Sequence, residues 1–82
     1  MVVLEFNPHF QKIFSKIKNK VMKEKVIKQL YKIRENPEIG KPMKNARKGT
    51  RELYVAPFRL SYAYFKNEDK VILLDLYHKD NQ

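Results

Sequence analysis

Cysteine is absent from this 82-residue chain, so neither a disulfide nor a thiolate metal site can form. Glycine occurs only at Gly40 and Gly49, which leaves no glycine-rich loop to cradle a phosphate. His9 and His78 are the only histidines, and no carboxylate pair has ligand spacing. No metal and no cofactor are therefore expected. No apolar run approaches the ~20 residues of a membrane span. The N-terminus alternates instead of forming the apolar block of a signal peptide. A reducing, cytoplasmic setting is the expectation, with no membrane partner.

Acidic residues are scarce too. Nine Asp and Glu face 18 Lys and Arg, giving a net charge of +9. A balance this basic points to an acidic partner: nucleic acid, an acidic protein or a membrane surface. The length predicts one domain, residues 1–82, with a small core. Five Tyr and five Phe enlarge that core at low residue cost.

The basic residues are not spread evenly. Lys41, Lys44, Arg47, Lys48 and Arg51 fall in the run from Ile39 to Arg51, which holds no acidic residue. An aromatic segment carrying one arginine follows, Phe58-Arg59-Leu60-Ser61-Tyr62. A strand there would hold Arg59 rigidly beside a basic loop. Lys and Arg contacts to phosphates give sequence-independent affinity through counterion release.

Periodicity organises the rest. Val2, Leu4 and Phe6 alternate as in a strand. Asn7-Pro8 is a helix start, and Phe10, Ile13, Phe14 and Ile17 predict a helix over 8–17. Val26, Leu30 and Ile33 predict a second helix over 20–34, with Lys23, Lys25, Lys28 and Lys32 on its other face. Asn36-Pro37 ends it. Residues 36–50 read as a long loop. Strands are expected over 51–55, 58–66 and 70–78, with a turn at Asn67-Glu68-Asp69. The order β-α-α-β-β-β predicts an α+β fold, a helical hairpin on one face of a small antiparallel sheet.

Side chains alternate along a strand. Ile72, Leu74 and Leu76 are expected to face the helices, with Val71, Leu73, Asp75 and Tyr77 opposite. Phe58, Leu60, Tyr62 and Tyr64 are expected inside, as are Leu53 and Val55. Phe10, Phe14, Leu30, Leu60, Tyr62, Leu74 and Leu76 are the expected core. The open face would then gather Glu52, Tyr54, Arg59, Ser61, Asp75 and Tyr77.

From Gly40 onward the chain resembles the C-terminal half of the RelE/ParE toxin superfamily. Pro42-Met43-Lys44 is similar to its "P-L-K" element, and Phe58-Arg59-Leu60-Ser61-Tyr62 to its "Y-R-[LVI]-x-Y" element. Tyr77-His78 is similar to the ending of the YoeB-like branch. The preceding strand and helical hairpin match the family's order. The resemblance implies a RelE-like fold and the toxin of a type II toxin–antitoxin pair. It implies a ribosome-dependent endoribonuclease that cleaves mRNA without metal by 2′-hydroxyl attack. Partners would be mRNA on the ribosome, with contacts to ribosomal RNA, and a cognate acidic antitoxin.

The resemblance carries the scissile-phosphate contact to Arg59, the "P-L-K" lysine to Lys44, and acid/base roles to His78 and Tyr77. A planar guanidinium suits charge gathering on phosphate oxygens. An imidazole suits protonation of a leaving oxygen. Tyr77 could also stack on a base. Strand parity groups His78 with Leu76 rather than with Tyr77. Lys44, Arg47, Lys48, Arg51 and Lys79 form the candidate RNA-binding set. The chain departs from the pattern at Thr50 and Glu52, where RelE-type enzymes carry lysines. It departs again at Lys41, where YoeB-like members carry a glutamate. A ParE-like, non-catalytic inhibitor of DNA gyrase is the alternative, and a plain basic RNA-binding module a third.

Overall fold

The computed structural model describes residues 1–44 and 49–81. Strand β1 (Val3–Phe6) leads into helix α1 (Pro8–Ser15) and helix α2 (Lys20–Glu35). Strands β2 (Lys41–Pro42), β3 (Thr50–Val55), β4 (Phe58–Phe65) and β5 (Lys70–His78) follow. They form one sheet in the order β1-β5-β4-β3-β2. The fold is α+β, as the sequence predicts. The sheet is mixed, however, because β1 runs parallel to β5 while the other pairings are antiparallel. The helical hairpin carries the chain from β1 at one edge of the sheet to β2 at the other, and three antiparallel reversals then lay β5 alongside β1 in the same direction.

Each helix begins where the sequence says. The Asn7 side chain accepts from the Phe10 amide at 2.8 Å, with Pro8 in the first turn. Asn19 accepts from the Met22 amide at 3.1 Å. These caps satisfy amides that have no partner inside the helix. Val26 and Ile33, two turns apart on α2, are fully buried. Lys25, Lys28 and Lys32 are exposed, while the Lys23 ammonium lies 5.5 Å from the Phe14 ring centre. Phe10, Val26 and Ile33 pack against Val55, Leu60, Tyr62, Val71, Leu73 and Leu76 of the sheet. Phe14 and Leu30 are only partly buried and pack at the margin of this cluster.

Strand β5 departs from simple alternation. Leu60 pairs with Leu76 and Ser61 with Asp75, but Tyr62 pairs with Leu73. Leu74 is the extra residue of a β-bulge, and it reverses the parity of everything before it. Val71 and Leu73 therefore enter the core at 0% exposure, in place of the expected Ile72 and Leu74. Both of those residues are only half-buried. Asp75 also leaves the expected open-face group, for its carboxylate meets His9 Nε2 of α1 at 3.1 Å.

The segment after α2 is not a free loop. Tyr62, fully buried, donates from its hydroxyl to the Pro37 carbonyl and accepts from the Gly40 amide, both at 2.8 Å. A Cβ on residue 40 would stand 2.7 Å from that hydroxyl, so the contact needs glycine. Arg51 adds a second clamp. Its Nη1 donates to the Glu38 carbonyl at 3.0 Å and to the Gly40 carbonyl at 2.8 Å. Between these clamps and β3, Lys41 and Pro42 pair with Glu52 and Arg51 as β2. Gly49 stands at φ 95°, a left-handed backbone that side chains disfavour. Between β4 and β5, Asp69 takes the left-handed conformation and its carbonyl accepts from the Val3 amide at 2.9 Å.

Two outcomes follow. Leu73→Ala is expected to cost about 2–5 kcal/mol in urea unfolding, the range for a truncated core leucine. Leu74→Ala should cost clearly less, and a reversed order would overturn the bulge assignment. Burial raises the Tyr62 pKa above 10.0. A raised pKa gives stability that is fully present below pH 10 and lost as pH climbs through the folded value. Tyr62→Phe should lower stability near neutral pH by about 1–3 kcal/mol, because a buried amide is orphaned. It should also flatten the loss of stability measured above pH 10.

Candidate nucleic-acid interface

Strand β4 runs up the middle of the sheet, so its side chains are the most firmly held. Arg59 lies directly opposite Tyr54 on β3 and Tyr77 on β5. One step along, Ser61 lies opposite Glu52. Period-2 alternation puts Glu52, Tyr54, Arg59, Ser61 and Tyr77 on the face away from the helices.

Their contacts form one unit. The Tyr77 hydroxyl donates to Glu52 Oε2 at 2.6 Å, reaching diagonally across β4. Arg59 Nη1 is 3.9 Å from Glu52 Oε1. The guanidinium carbon of Arg59 is 6.0 Å from the Tyr54 ring centre, and the Lys79 ammonium is 5.6 Å from the same ring. The side chain of Glu52 is 3% exposed, and that of Arg59 is 30% exposed. A buried carboxylate survives only with hydrogen bonds and a counter-charge. Tyr77 and Arg59 provide both. Arg59 Nε is buried and has no hydrogen-bond partner among the described residues.

The unit offers a fixed, partly exposed guanidinium, an aromatic hydroxyl on a carboxylate and an exposed ring. A guanidinium so held can take a phosphate oxygen in a defined geometry. The phenol can exchange a proton at the same place. Tyr54 and the exposed Lys79 border the site. No group of three or more His, Asp or Glu side chains among the described residues is arranged to hold a metal ion. No helix among them is long and apolar enough to cross a membrane.

The other candidates scatter. His78 pairs with Phe58 in register and meets its ring edge-on, at 5.8 Å between centres. Its Nδ1 accepts from the Asp80 amide at 3.3 Å. His78 thus shares parity with Phe58 and Leu76, and the structure does not bring it to Arg59 and Tyr77. Arg51 pairs with Tyr62, and its guanidinium holds the segment after α2. Lys44 is exposed. Arg47 and Lys48 lie outside the described residues.

Glu52, which in sequence is a departure from a lysine pattern, also falls in the expected open-face group with Arg59, and the structure pairs the two. The signal was present: Glu52 and Tyr54 share parity on β3, and a tight turn at Ala56-Pro57 puts both beside Arg59. Arg51→Ala should therefore behave as a fold mutation. A loss of about 1–3 kcal/mol in stability is expected, since the part-buried Gly40 carbonyl and the Glu38 carbonyl lose their donor. RNA affinity of the folded fraction should fall no more than for Lys44→Ala.

The family model described as "ParE toxin of type II toxin-antitoxin system, parDE" matches residues 4–82. The chain is also similar to solved structures. The isolated Escherichia coli RelE toxin superposes with a TM-score of 0.82 at 17% identity, covering 100% of this chain and 88% of that one. The toxin–antitoxin complex RelBE2 from Mycobacterium tuberculosis gives 0.84 at 19% identity, covering 95% of this chain and 98% of that one. The YoeB–YefM complex from Staphylococcus aureus gives 0.71 at 23% identity, covering 95% and 97%. At these identities the likeness is one of fold. A sequence search of curated proteins finds no match.

Proposed function

The chain belongs to the ParE toxin family of type II toxin–antitoxin systems, and from that premise we propose that it acts as a ribosome-dependent endoribonuclease. The observation that carries this reading is the Arg59–Tyr77–Glu52 unit on the open face. In the proposed reaction the substrate 2′-hydroxyl loses its proton and its oxygen bonds to the adjacent phosphorus. The bond from phosphorus to the 5′-oxygen breaks, and that oxygen takes the proton of the Tyr77 hydroxyl, which is made good by the proton released from the 2′-hydroxyl. The products are a 2′,3′-cyclic phosphate and a 5′-hydroxyl. Arg59 holds the non-bridging oxygens and stabilises the charge they gather. Tyr77 is the proton carrier this geometry favours, since it shares the face of Arg59 and His78 does not. Lys44 and Lys79, with Arg47 and Lys48, would track flanking phosphates. No metal enters the step.

An acidic antitoxin is the proposed protein partner. Its fit is supported by the net charge of +9. It is also supported by two adjoining apolar hollows between β1 and the helices. These hold about 200 and 300 Å³ and share Phe6, Ile27 and Leu30, with Arg34 at one end. An amphipathic acidic segment complements that combination.

A second reading, inhibition of DNA gyrase without catalysis, is supported by the match to the ParE family model and by one feature of the site. Glu52 stands where the ribonuclease pattern has lysine, and its carboxylate offsets the charge of Arg59. Expression of the chain alone should arrest growth, and Arg59→Ala should relieve the arrest in a protein that still folds. Loss of such a contact costs ~10²–10³-fold in rate. Mapped mRNA ends on translating ribosomes decide between the readings. Fresh 5′-hydroxyl ends that vanish with Arg59→Ala support cleavage. Arrest with intact mRNA and inhibited supercoiling would replace it with the gyrase reading.

A further inference from the structure

The Glu52 carboxylate occupies a position that an incoming phosphate would contest. Its Oε1 lies 3.9 Å from Arg59 Nη1, while its Oε2 accepts from the Tyr77 hydroxyl at 2.6 Å. Its side chain is 3% exposed, so water does little to screen its charge from the guanidinium. Arg59 is ten times as exposed, at 30%, although its Nε is itself buried. The guanidinium is therefore neutralised from beneath while it remains open to an anion from above.

We infer that Glu52 is the built-in counter-anion of this site. It anchors Tyr77, and it sets how tightly Arg59 holds a phosphate. The inference rests on the reading that the open face receives RNA phosphate. Glu52 stays below the ligand and acts through Arg59 and Tyr77, as a positioning and affinity-setting residue. The Tyr77 bond orients the carboxylate and draws off part of its charge, so Tyr77 tunes the same contact. A site designed only to bind would gain by carrying a neutral residue here. A site that must release a cleaved strand gains from a standing competitor for its arginine.

Glu52→Gln tests this. Glutamine keeps the size of the side chain and an oxygen that accepts from Tyr77, but removes the charge. Two probes are read on folded protein: a short single-stranded RNA over a salt series, and inorganic phosphate by its effect on Tm. Glu52→Gln should bind the RNA on the order of tenfold more tightly, the scale of a coupling between close charges. The slope of log affinity against log salt should steepen by about 0.7, one further single-strand phosphate contact. Adding Arg59→Ala should abolish the gain. Tyr77→Phe, which leaves the whole carboxylate charge on Arg59, should shift affinity the opposite way. Phosphate should raise the Tm of Glu52→Gln more than that of the native protein.

A purely structural glutamate would lower stability and leave both the slope and the phosphate response unmoved, which overturns the inference. So does a gain that persists with Arg59→Ala, because the effect is then one of overall charge. If neither protein binds RNA but phosphate still favours Glu52→Gln, the RNA reading fails and the counter-anion stands. If both bind RNA equally at every salt concentration, the counter-anion fails and the RNA reading stands. Should Glu52→Gln fail to fold, Tyr77→Phe is read with and without Arg59→Ala: weaker RNA binding that disappears in the Arg59→Ala background supports the inference, and unchanged binding, or a loss that persists there, overturns it.

Discussion

One extra residue in β5 governs both faces of this sheet. Leu74 sits opposite the step between Ser61 and Tyr62 without a partner of its own. Below it, Val71 and Leu73 close the core against α1 and α2. Above it, Leu76 returns to the core and Tyr77 turns to the open face, where it meets Glu52. Without the insertion, one parity would run through the strand. The core and the Tyr77 contact could not then both be satisfied. Bulges of this kind re-aim side chains next to functional sites, and here a single one serves packing and the site together.

The basic run between Ile39 and Arg51 divides into two roles. Arg51 turns inward and, with Tyr62, ties the chain after α2 to the sheet through carbonyl and amide contacts. Lys44 stays exposed. A cluster of like charges on one stretch of sequence is thus not one surface. The strand register sends Arg51 to the side of Tyr62 and Glu52 to the side of Arg59. Charge density in a sequence names an electrostatic tendency, whereas parity decides which charges a ligand can meet.

Much of the fold is legible in the chain. Asn7-Pro8 and Asn19 start the helices because their side chains accept from amides that helices leave open. Residues 70–78 read as a strand and are one. The faces of β3 and β4 follow from simple alternation, which places Glu52, Tyr54, Arg59 and Ser61 on one side before any contact is known. The β5 core residues do not follow, because Ile72, Leu74 and Leu76 are as apolar as Val71 and Leu73. Hydropathy carries no mark of an extra residue. The parallel pairing of β1 is equally hidden, since alternation in Val2, Leu4 and Phe6 fits either direction.

What the sequence determined by itself is local: the helix starts, the end of α2 at Asn36-Pro37 (α1 stops at Ser15, short of the expected residue 17), the turn at Asp69, the charge of +9 and the grouping of Arg59 with aromatics. These depend on neighbours along the chain, where the physics of caps, propensities and side-chain period acts directly. What only the tertiary structure decided is relational. It buried the Glu52 carboxylate between Tyr77 and Arg59, sent Asp75 to His9, and kept His78 beside Phe58. Each depends on register between strands or on helix-to-strand packing. A shift of one residue exchanges the two faces of a strand, and composition does not encode that choice.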